Sequence, residues 1–396
     1  MGRRHPPGGR PHGARHGGRR VRARRGLVAM AGLGGPVALI GVGLVGGSLG
    51  LALRDSGVAD VRAFDPAPGA TDAALECGAI TTGCADVASA VDGADVVVVC
   101  APVGEIPGIV GQVLASTGDD VAVTDVGSAK SAVLDGLSHD ELARFCGGHP
   151  VAGDERSGVV HARSDLFDGA TWFLTPTVET RPDVLARIHG MVASVGAVPV
   201  AVDVQVHDHL MALVSHLPHV MASGLMRQAA VTAPQGREAL GSAGPSFHDL
   251  TRVAGSSPAL WADILLGNRA AVLAATRNHR AELAEVEAAL ERGDRTWLEG
   301  FFRSAAEGRE RLLRAGHAVG GEVVRITVEV PNRPGVLSDI ATALGHAHIN
   351  IEDLHLSPAH PDEPSGTLEL DVAGEDTARR AAELIAERGF RITEGA

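Results

Sequence analysis

Four short apolar runs punctuate the first third of the chain, and each closes on a polar or turn-forming residue. Residues 37–40 (VALI) run into GVGLVGGS and then into an apolar stretch at helical spacing to about residue 56. Residues 61–64 end in Asp65-Pro66, residues 94–100 end in Ala101-Pro102-Val103, and residues 121–124 end at Asp125. Such runs read as strands buried on both faces, and their alternation with helical segments predicts a parallel sheet covered by helices. From about residue 182 the strand signals fade, and alanine, leucine and charged residues recur at helical spacing to about residue 315. That pattern predicts an all-helical second domain over 181–316. Residues 316–321 read as a linker. A compact unit over 322–396 follows: strand 323–330, the turn PNRPG, helix 336–347, strand 349–356, a loop rich in Pro, Asp and Ser, strand 366–372, and a last helix and strand. The order βαββαβ is the ferredoxin-like arrangement.

Composition narrows the possibilities. Hydrophobic residues make up 45% of the 396, enough for two or three cores. The formal net charge is −13, although residues 1–29 hold nine arginines and no acid. The body is therefore acidic, which argues against a nucleic-acid partner. The basic head, residues 1–35, reads as a disordered tail. Met30 would make a natural start, so the residues before it read as an over-extended gene product. A basic head before the apolar run 37–53 imitates a secretory signal, but that run carries five glycines and no cleavage site follows it. No other stretch is apolar enough to span a membrane. The four cysteines, Cys77, Cys84, Cys100 and Cys146, have neither metal nor redox spacing and read as reduced thiols of a cytoplasmic protein.

Gly41, Gly43 and Gly46 form GxGxxG between a predicted strand and a predicted helix. The first glycine permits the tight turn, the second lets backbone approach a pyrophosphate, and the third lets helix pack on strand. The helix start, with Leu44 and Val45, offers free N–H groups to phosphate. Asp65 lies 19 residues past Gly46 and suits a ribose diol, which favours NAD over its phosphorylated form. The strand ends Ala101, Pro102, Val103 and Asp125 belong to the same expected cofactor face. Residues 36–180 thus read as a Rossmann-type domain.

The chain contains one lysine, Lys130, in TDVGSAK; every other cation is arginine or histidine. Lysine is a compact point charge and arginine a planar fork, so this lysine marks a place where the two are not interchangeable. Downstream, GGHPVAG sets His149 in a Gly/Pro-braced loop, where an imidazole suits a general base. Ser128, the segment SHLPH (Ser215 to His219) and TRVA with Arg252 complete a cluster of a hydroxyl, a base, cations and an anion fork. His207, His209, His216 and His219 raise a metal site, and His216 and His219 have a chelating spacing, but no carboxylate or cysteine completes a set. No metal is expected.

These segments resemble the prephenate/arogenate dehydrogenases of tyrosine biosynthesis: GVGLVGGS, FDP, APV, TDVGSAK, GGHPVAG, SHLPH and TRVA stand in that family's order over residues 37–315. The C-terminal unit is similar to an ACT domain, a regulatory attachment common in that family. The resemblance implies a cyclohexadiene substrate with a ring hydroxyl, a ring carboxylate and a side-chain carboxylate. His149 would accept the hydroxyl proton while hydride passes to NAD and carbon dioxide departs. Ser128 would hydrogen-bond the reacting hydroxyl. Arg252 and His219, with Ser215 alongside, would hold carboxylates, and Lys130 would shape the cofactor–substrate junction. His216 would pack or support its helix. A homodimer through the helical domain is implied as well.

In the C-terminal unit PNRPG, with Asn332 and Gly335, would leave backbone N–H groups for an amino-acid carboxylate, and Asn350 could bind the amino end across a paired interface. Tyrosine or a related amino acid is the expected effector; dimerisation without a ligand is the alternative. The chain departs from the family at Asp154, where a neutral residue often follows the HPxxG glycine. A carboxylate there would attract the ammonium of arogenate and disfavour the ketone of prephenate, unless it faces solvent or pairs with Arg156. Prephenate remains the leading expectation and arogenate the alternative. A β-hydroxyacid-type dehydrogenase would rely on a lysine in the helical domain, which has none. A non-catalytic amino-acid sensor would not need His149, Ser128 and Arg252 intact.

Overall fold

The computed structural model describes residues 35–394, apart from 154–155, 233–239, 242, 317–322, 332, 334–335, 348, 350, 352 and 358–364. Asp154, Asn332, Gly335, Asn350 and the N-terminal tail therefore lie outside the described residues. The chain divides into two compact units, one to Ala281 and one from Glu282.

The first unit opens with five parallel strands: β1 (Val37–Ile40), β2 (Val61–Phe64), β3 (Thr82–Gly83), β4 (Val96–Val99) and β5 (Ala122–Asp125). Their order is β3-β2-β1-β4-β5, so the chain reverses direction across the sheet between β1 and β4. That reversal is the crevice where doubly wound sheets bind ligands. β1 and β4 are buried on every residue, as uninterrupted valine-rich runs require. Each fully buried valine contributes roughly 1.5–3 kcal/mol. The faces are covered by α1 (Leu44–Ser56) on one side and by α3 (Val87–Val91) with α4 (Ile106–Ser116) on the other.

A three-stranded sheet follows. β6 (Gly147–Pro150) runs antiparallel to β7 (Thr171–Thr175), which runs parallel to β8 (Val198–Ala201). Two expectations change here. His149 lies on strand β6 rather than in a loop; the two glycines that read as part of a turn are there for close approach. A Cβ on Gly148 would lie 2.5 Å from the Asp125 carbonyl oxygen, and one on Gly147 would strike the Thr175 hydroxyl. The first domain also runs past the expected border at 180. Helix α7 (Pro182–Ser194) buries Val184, Ile188, Met191 and Val192 in the same core as β1 and β4, and β8 pairs with β7. The strand signal was faint because β8 is an edge strand with Val198 and Val200 exposed, and an edge tolerates Pro199.

Beyond β8 the unit is helical: α8 (Val204–Met211), a π-helical turn (Ala212–His216), α9 (Leu217–Thr232), then helices Pro245–Thr251 and Pro258–Gly267 and the start of Arg269–Arg292. The side chain of Asp203 caps α8 by accepting from the N–H groups of Gln205 and Val206. The π turn sits where Pro218 interrupts the ladder, since proline brings no N–H and crowds the carbonyl four residues back. Leu217 N–H instead donates five residues back to Ala212.

In the second unit, strands Val323–Pro331, Asp353–Ser357, Ser365–Ala373 and Arg391–Glu394 form one antiparallel sheet. The first strand lies between the third and the fourth, which is the ferredoxin-like order. Helices Val336–His346 and Glu375–Glu387 supply Ile340, Leu344, Ala381 and Ile385 to its core. This is the fold of an ACT domain.

Candidate active site

The cofactor face is built from glycines that admit no side chain. Gly41 has φ +103°, and a Cβ there would strike the Cys100 carbonyl at the end of β4. A Cβ on Gly46 would strike the Gly41 carbonyl, so helix and turn meet backbone to backbone. Gly43 meets nothing within 4 Å, which leaves an open backbone cradle at the start of α1. No side chain caps that start, so its first N–H groups, including those of Leu44 and Val45, remain for a phosphate. Asp65 stands at the end of β2, with one oxygen accepting from Val42 N–H and the other from Ala67 N–H, each at 2.8 Å. These residues fit NAD: an anion cradle on a helix N-terminus and a carboxylate fixed beside it. Ala101 and Val103 follow β4 partly buried, with Pro102 exposed between them.

Two residues expected at the ligand surface are elsewhere. Asp125 is fully buried, as is Lys130. They form an ion pair, and together they clamp the backbone of one residue, Gly148, on both its sides. Asp125 Oδ1 accepts from Gly148 N–H at 3.1 Å, and Lys130 Nζ donates to the Gly148 carbonyl at 2.7 Å. Asp125 Oδ2 also accepts from Gly127 N–H. Asp125 has no face left for a cofactor, and Lys130 has none for a substrate. The lysine stem passes beside Gly147, where a Cβ would come within 3.1 Å of Lys130 Cδ, so glycine at 147 leaves the stem its room. Burial pulls the Lys130 ammonium below its ordinary value, and the Asp125 charge pulls it back up.

The residue after the clamped glycine is His149. Its Nδ1 lies 2.9 Å from His207 Nε2, and His207 Nδ1 lies 2.9 Å from Asp208 Oδ1. Asp208 is saturated: Oδ1 also accepts from Lys130 N–H at 3.0 Å, and Oδ2 accepts from Ser131 N–H at 2.9 Å and Ser131 Oγ at 2.6 Å. Burial pushes the Asp208 carboxyl up, but the hydrogen bonds from His207 and Ser131 outweigh it and hold it at about 2. His149 is driven well below the usual imidazole value, first by burial and then by the cationic forms of His207, Lys130 and His216. It is therefore neutral at neutral pH, the state a general base requires.

The network continues. Asn268 Nδ2 donates to the Asp208 backbone carbonyl at 2.7 Å and to His216 Nδ1 at 3.2 Å. His216 is buried and depressed to about 4 by that burial. Its Nδ1 accepts, so its Nε2 carries the proton, and that N–H has no partner among the described residues. His216 thus both ties the π-helical turn to Asn268 and retains a spare donor. His219 stacks on Trp261 at 3.5 Å between ring centroids, and its Nδ1–H donates to the Ser215 carbonyl at 2.9 Å. Arg252 is exposed on the 3-10 turn Arg252–Gly255, which packs on α9. Ser128 Oγ is buried and, among the described residues, makes no hydrogen bond. His207, Asp208, Asn268 and Trp261 went unread as partners because nothing in their spacing reveals a contact with residues 40 or more positions away.

Comparison with known proteins agrees with this fold. The nucleotide-binding domain described for prephenate dehydrogenase matches residues 49–201, its dimerization domain matches 203–304, and an ACT domain matches 324–390. The chain is 31% identical over 358 residues to prephenate dehydrogenase of Bacillus subtilis, covering 89% of this chain and 96% of that one. It is 34% identical over 284 residues to cyclohexadienyl dehydrogenase of Zymomonas mobilis, covering 70% and 95%. The crystal structure of Aquifex aeolicus prephenate dehydrogenase with hydroxyphenyl propionate and NAD+ superimposes with TM-score 0.66 at 30% identity, covering 70% of this chain and 98% of that one. Synechocystis arogenate dehydrogenase gives TM-score 0.64 at 25% identity, covering 70% and 99%. The fold and site define an NAD-dependent oxidoreductase. The chain belongs to the prephenate dehydrogenase family.

Replacing Lys130 by Met should leave the Asp125 charge buried and unpaired. The expected cost is about 3–5 kcal/mol in denaturant unfolding. The double replacement Lys130→Met with Asp125→Asn should recover part of it; equal stability of the single variant and the wild type would contradict the clamp.

Proposed function

We propose that this enzyme converts prephenate to 4-hydroxyphenylpyruvate by oxidative decarboxylation. The reading is carried by His149, an imidazole held neutral and hydrogen-bonded through Nδ1 at the edge of a nucleotide-binding sheet. NAD, when bound, supplies the hydride acceptor. Gly41, Gly43, Gly46, Leu44 and Val45 would hold its pyrophosphate and Asp65 its ribose, and Ala101, Pro102 and Val103 would border it. His149 Nε2 takes the proton of the ring hydroxyl as the hydrogen on that carbon leaves with its electron pair. The ring carboxylate then departs as carbon dioxide. Its bonding pair moves through the ring to the oxygen, and His149 returns the proton to make the phenol. No proton is gained or lost over the cycle. Ser128 Oγ donates to the same oxygen, where negative charge builds during decarboxylation. Arg252 holds a carboxylate with its fork, and His219, stacked on Trp261, holds the other with Ser215.

Asp154 favours arogenate as the second substrate by attracting its ammonium. The C-terminal domain senses an amino acid, tyrosine or a relative, through Asn332, Gly335 and Asn350. The enzyme works as a cytoplasmic homodimer. Exposed apolar side chains on the helices Arg269–Arg292 and Arg295–Gly316, among them Leu283, Leu290, Phe302 and Leu312, support pairing with a second copy. Among the described residues no helix is long and apolar enough to cross a membrane.

His149→Asn should lower NADH formation by roughly 10²-fold or more while NAD binding stays unchanged. In the wild type, kcat/KM should rise with pH through the His149 pKa and reach its plateau below the ordinary imidazole range near 6.5. Burial sets this limb first, the cationic forms of His207, Lys130 and His216 lower it further, and Asp208 raises it. An acid limb at or above the ordinary value would contradict the assignment. With both substrates assayed side by side, Asp154→Asn should shift the ratio toward prephenate; an unchanged ratio removes Asp154 from substrate choice. Truncation after Gly321 should abolish inhibition by tyrosine, and inhibition that survives truncation would sink the sensor role.

A further inference from the structure

The proton positions in the His149–His207–Asp208 chain are forced. The backbone N–H groups of Lys130 and Ser131 can only donate, so both Asp208 oxygens are acceptors. His207 Nδ1 faces Asp208 Oδ1 and must therefore donate to it. The Nε2 of a neutral His207 is then an acceptor. His149 Nδ1, 2.9 Å away, must donate to it. His149 Nε2 is left bare. An unconstrained histidine favours the opposite tautomer, with the proton on Nε2, which could not accept a proton from an alcohol.

We propose that His207, held by Asp208, is the positioning residue that fixes His149 in the tautomer whose Nε2 is free, and that keeps the ring from turning while it carries the substrate's proton. The inference rests on the reading of His149 as the base. Its chemical motive is the closed proton cycle: the O–H bond of the ring alcohol breaks and an Nε2–H bond forms, then Nε2–H breaks and the phenol O–H forms. A base that must return its proton to the same oxygen needs no exit to solvent, but it must not rotate between the two steps. His207 is fully buried, so water cannot substitute for it without rearrangement. Phe173 lies edge-on to His207, with ring centroids 5.5 Å apart, and flanks His149 at 6.5 Å. That packing restricts both rings, as catalytic groups require of their supports. The cation formed on His149 also points its Nδ1–H at His207 Nε2, on a ring backed by the Asp208 carboxylate, so the charge is stabilised without moving a heavy atom. The sequence separates these partners by 58 positions and gives no sign of the contact.

The test compares wild type with His207→Gln and His207→Leu. A glutamine amide can accept from His149 Nδ1 and donate to Asp208; leucine can do neither. Nitrogen-15 spectra of the His149 imidazole at neutral pH should show Nδ1 protonated and Nε2 bare in the wild type and in His207→Gln, and a shift toward the Nε2–H form in His207→Leu. In steady state, His207→Leu should lower kcat by roughly 10²-fold or more with KM within about threefold, and His207→Gln should recover at least about tenfold of that loss. NAD binding, measured on each variant, confirms that the fold is intact. A wild-type spectrum with the proton on Nε2 overturns the proposal, whatever the variants do. So does a His207→Leu enzyme with kcat within threefold of wild type, or one whose loss lies only in KM. The spectra need no substrate, so failure of the substrate assignment shows as absent NADH formation beside an intact tautomer signature.

Discussion

A buried lysine–aspartate pair gripping the backbone of Gly148 is the interaction on which the site depends. Taking two charges out of water is costly, and such a pair is tolerated only where geometry is good and the remaining hydrogen-bonding capacity is filled. Here it is filled: the Asp125 carboxylate accepts from two backbone N–H groups as well as the ammonium, and the ammonium reaches a carbonyl. The outcome is that β6 is tied to the end of β5, the edge of the nucleotide-binding sheet. His149, one residue on, inherits that position.

The same short turn serves the other side of the histidine. Lys130 and Ser131 turn their backbone N–H groups to Asp208, so the residue that clamps the β6 backbone also orients the carboxylate that orients His207. Backbone and imidazole are thus fixed from one point in the chain, and the helical segment beginning at Val204 is tied to the sheet through that point. The electrostatics follow from the same burial. A saturated carboxylate stays ionised, and a desolvated imidazole near other cations stays neutral. Such separation of neighbouring titrations is how an acid–base site is prepared for work near neutral pH.

Much of this was legible in the sequence, for physical reasons particular to each element. GxGxxG with Asp65 is local: its function follows from backbone freedom at Gly41, from the missing side chain at Gly46 and from a strand end 19 residues on. The ferredoxin-like unit declared itself through alternating strands and amphipathic helices, because its sheet has one buried face. Lys130 was singled out by being the sole lysine, and it is fully buried against Asp125 rather than turned to a ligand. Whether a buried cation faces a ligand or a carboxylate depends on side-chain contacts across the fold. His207 and Asp208 were invisible for the same reason, and β8 was faint because an exposed edge strand with a proline carries no burial pattern. Motifs fix what is near in sequence; the hydrogen-bonded chain that aims the base is long-range.

The proposed reaction requires one small molecule to meet both the imidazole of His149 and the groups of the helical segment proposed to hold its carboxylates. A crystal structure of the enzyme with NAD and 4-hydroxyphenylpyruvate tests it most directly. The expected result places the phenol oxygen within hydrogen-bond distance of His149 Nε2 and Ser128 Oγ, with the side-chain carboxylate on Arg252 or His219. A product whose phenol oxygen contacts neither His149 nor Ser128, or a His149 and an Arg252 too far apart to touch the same molecule, would contradict it.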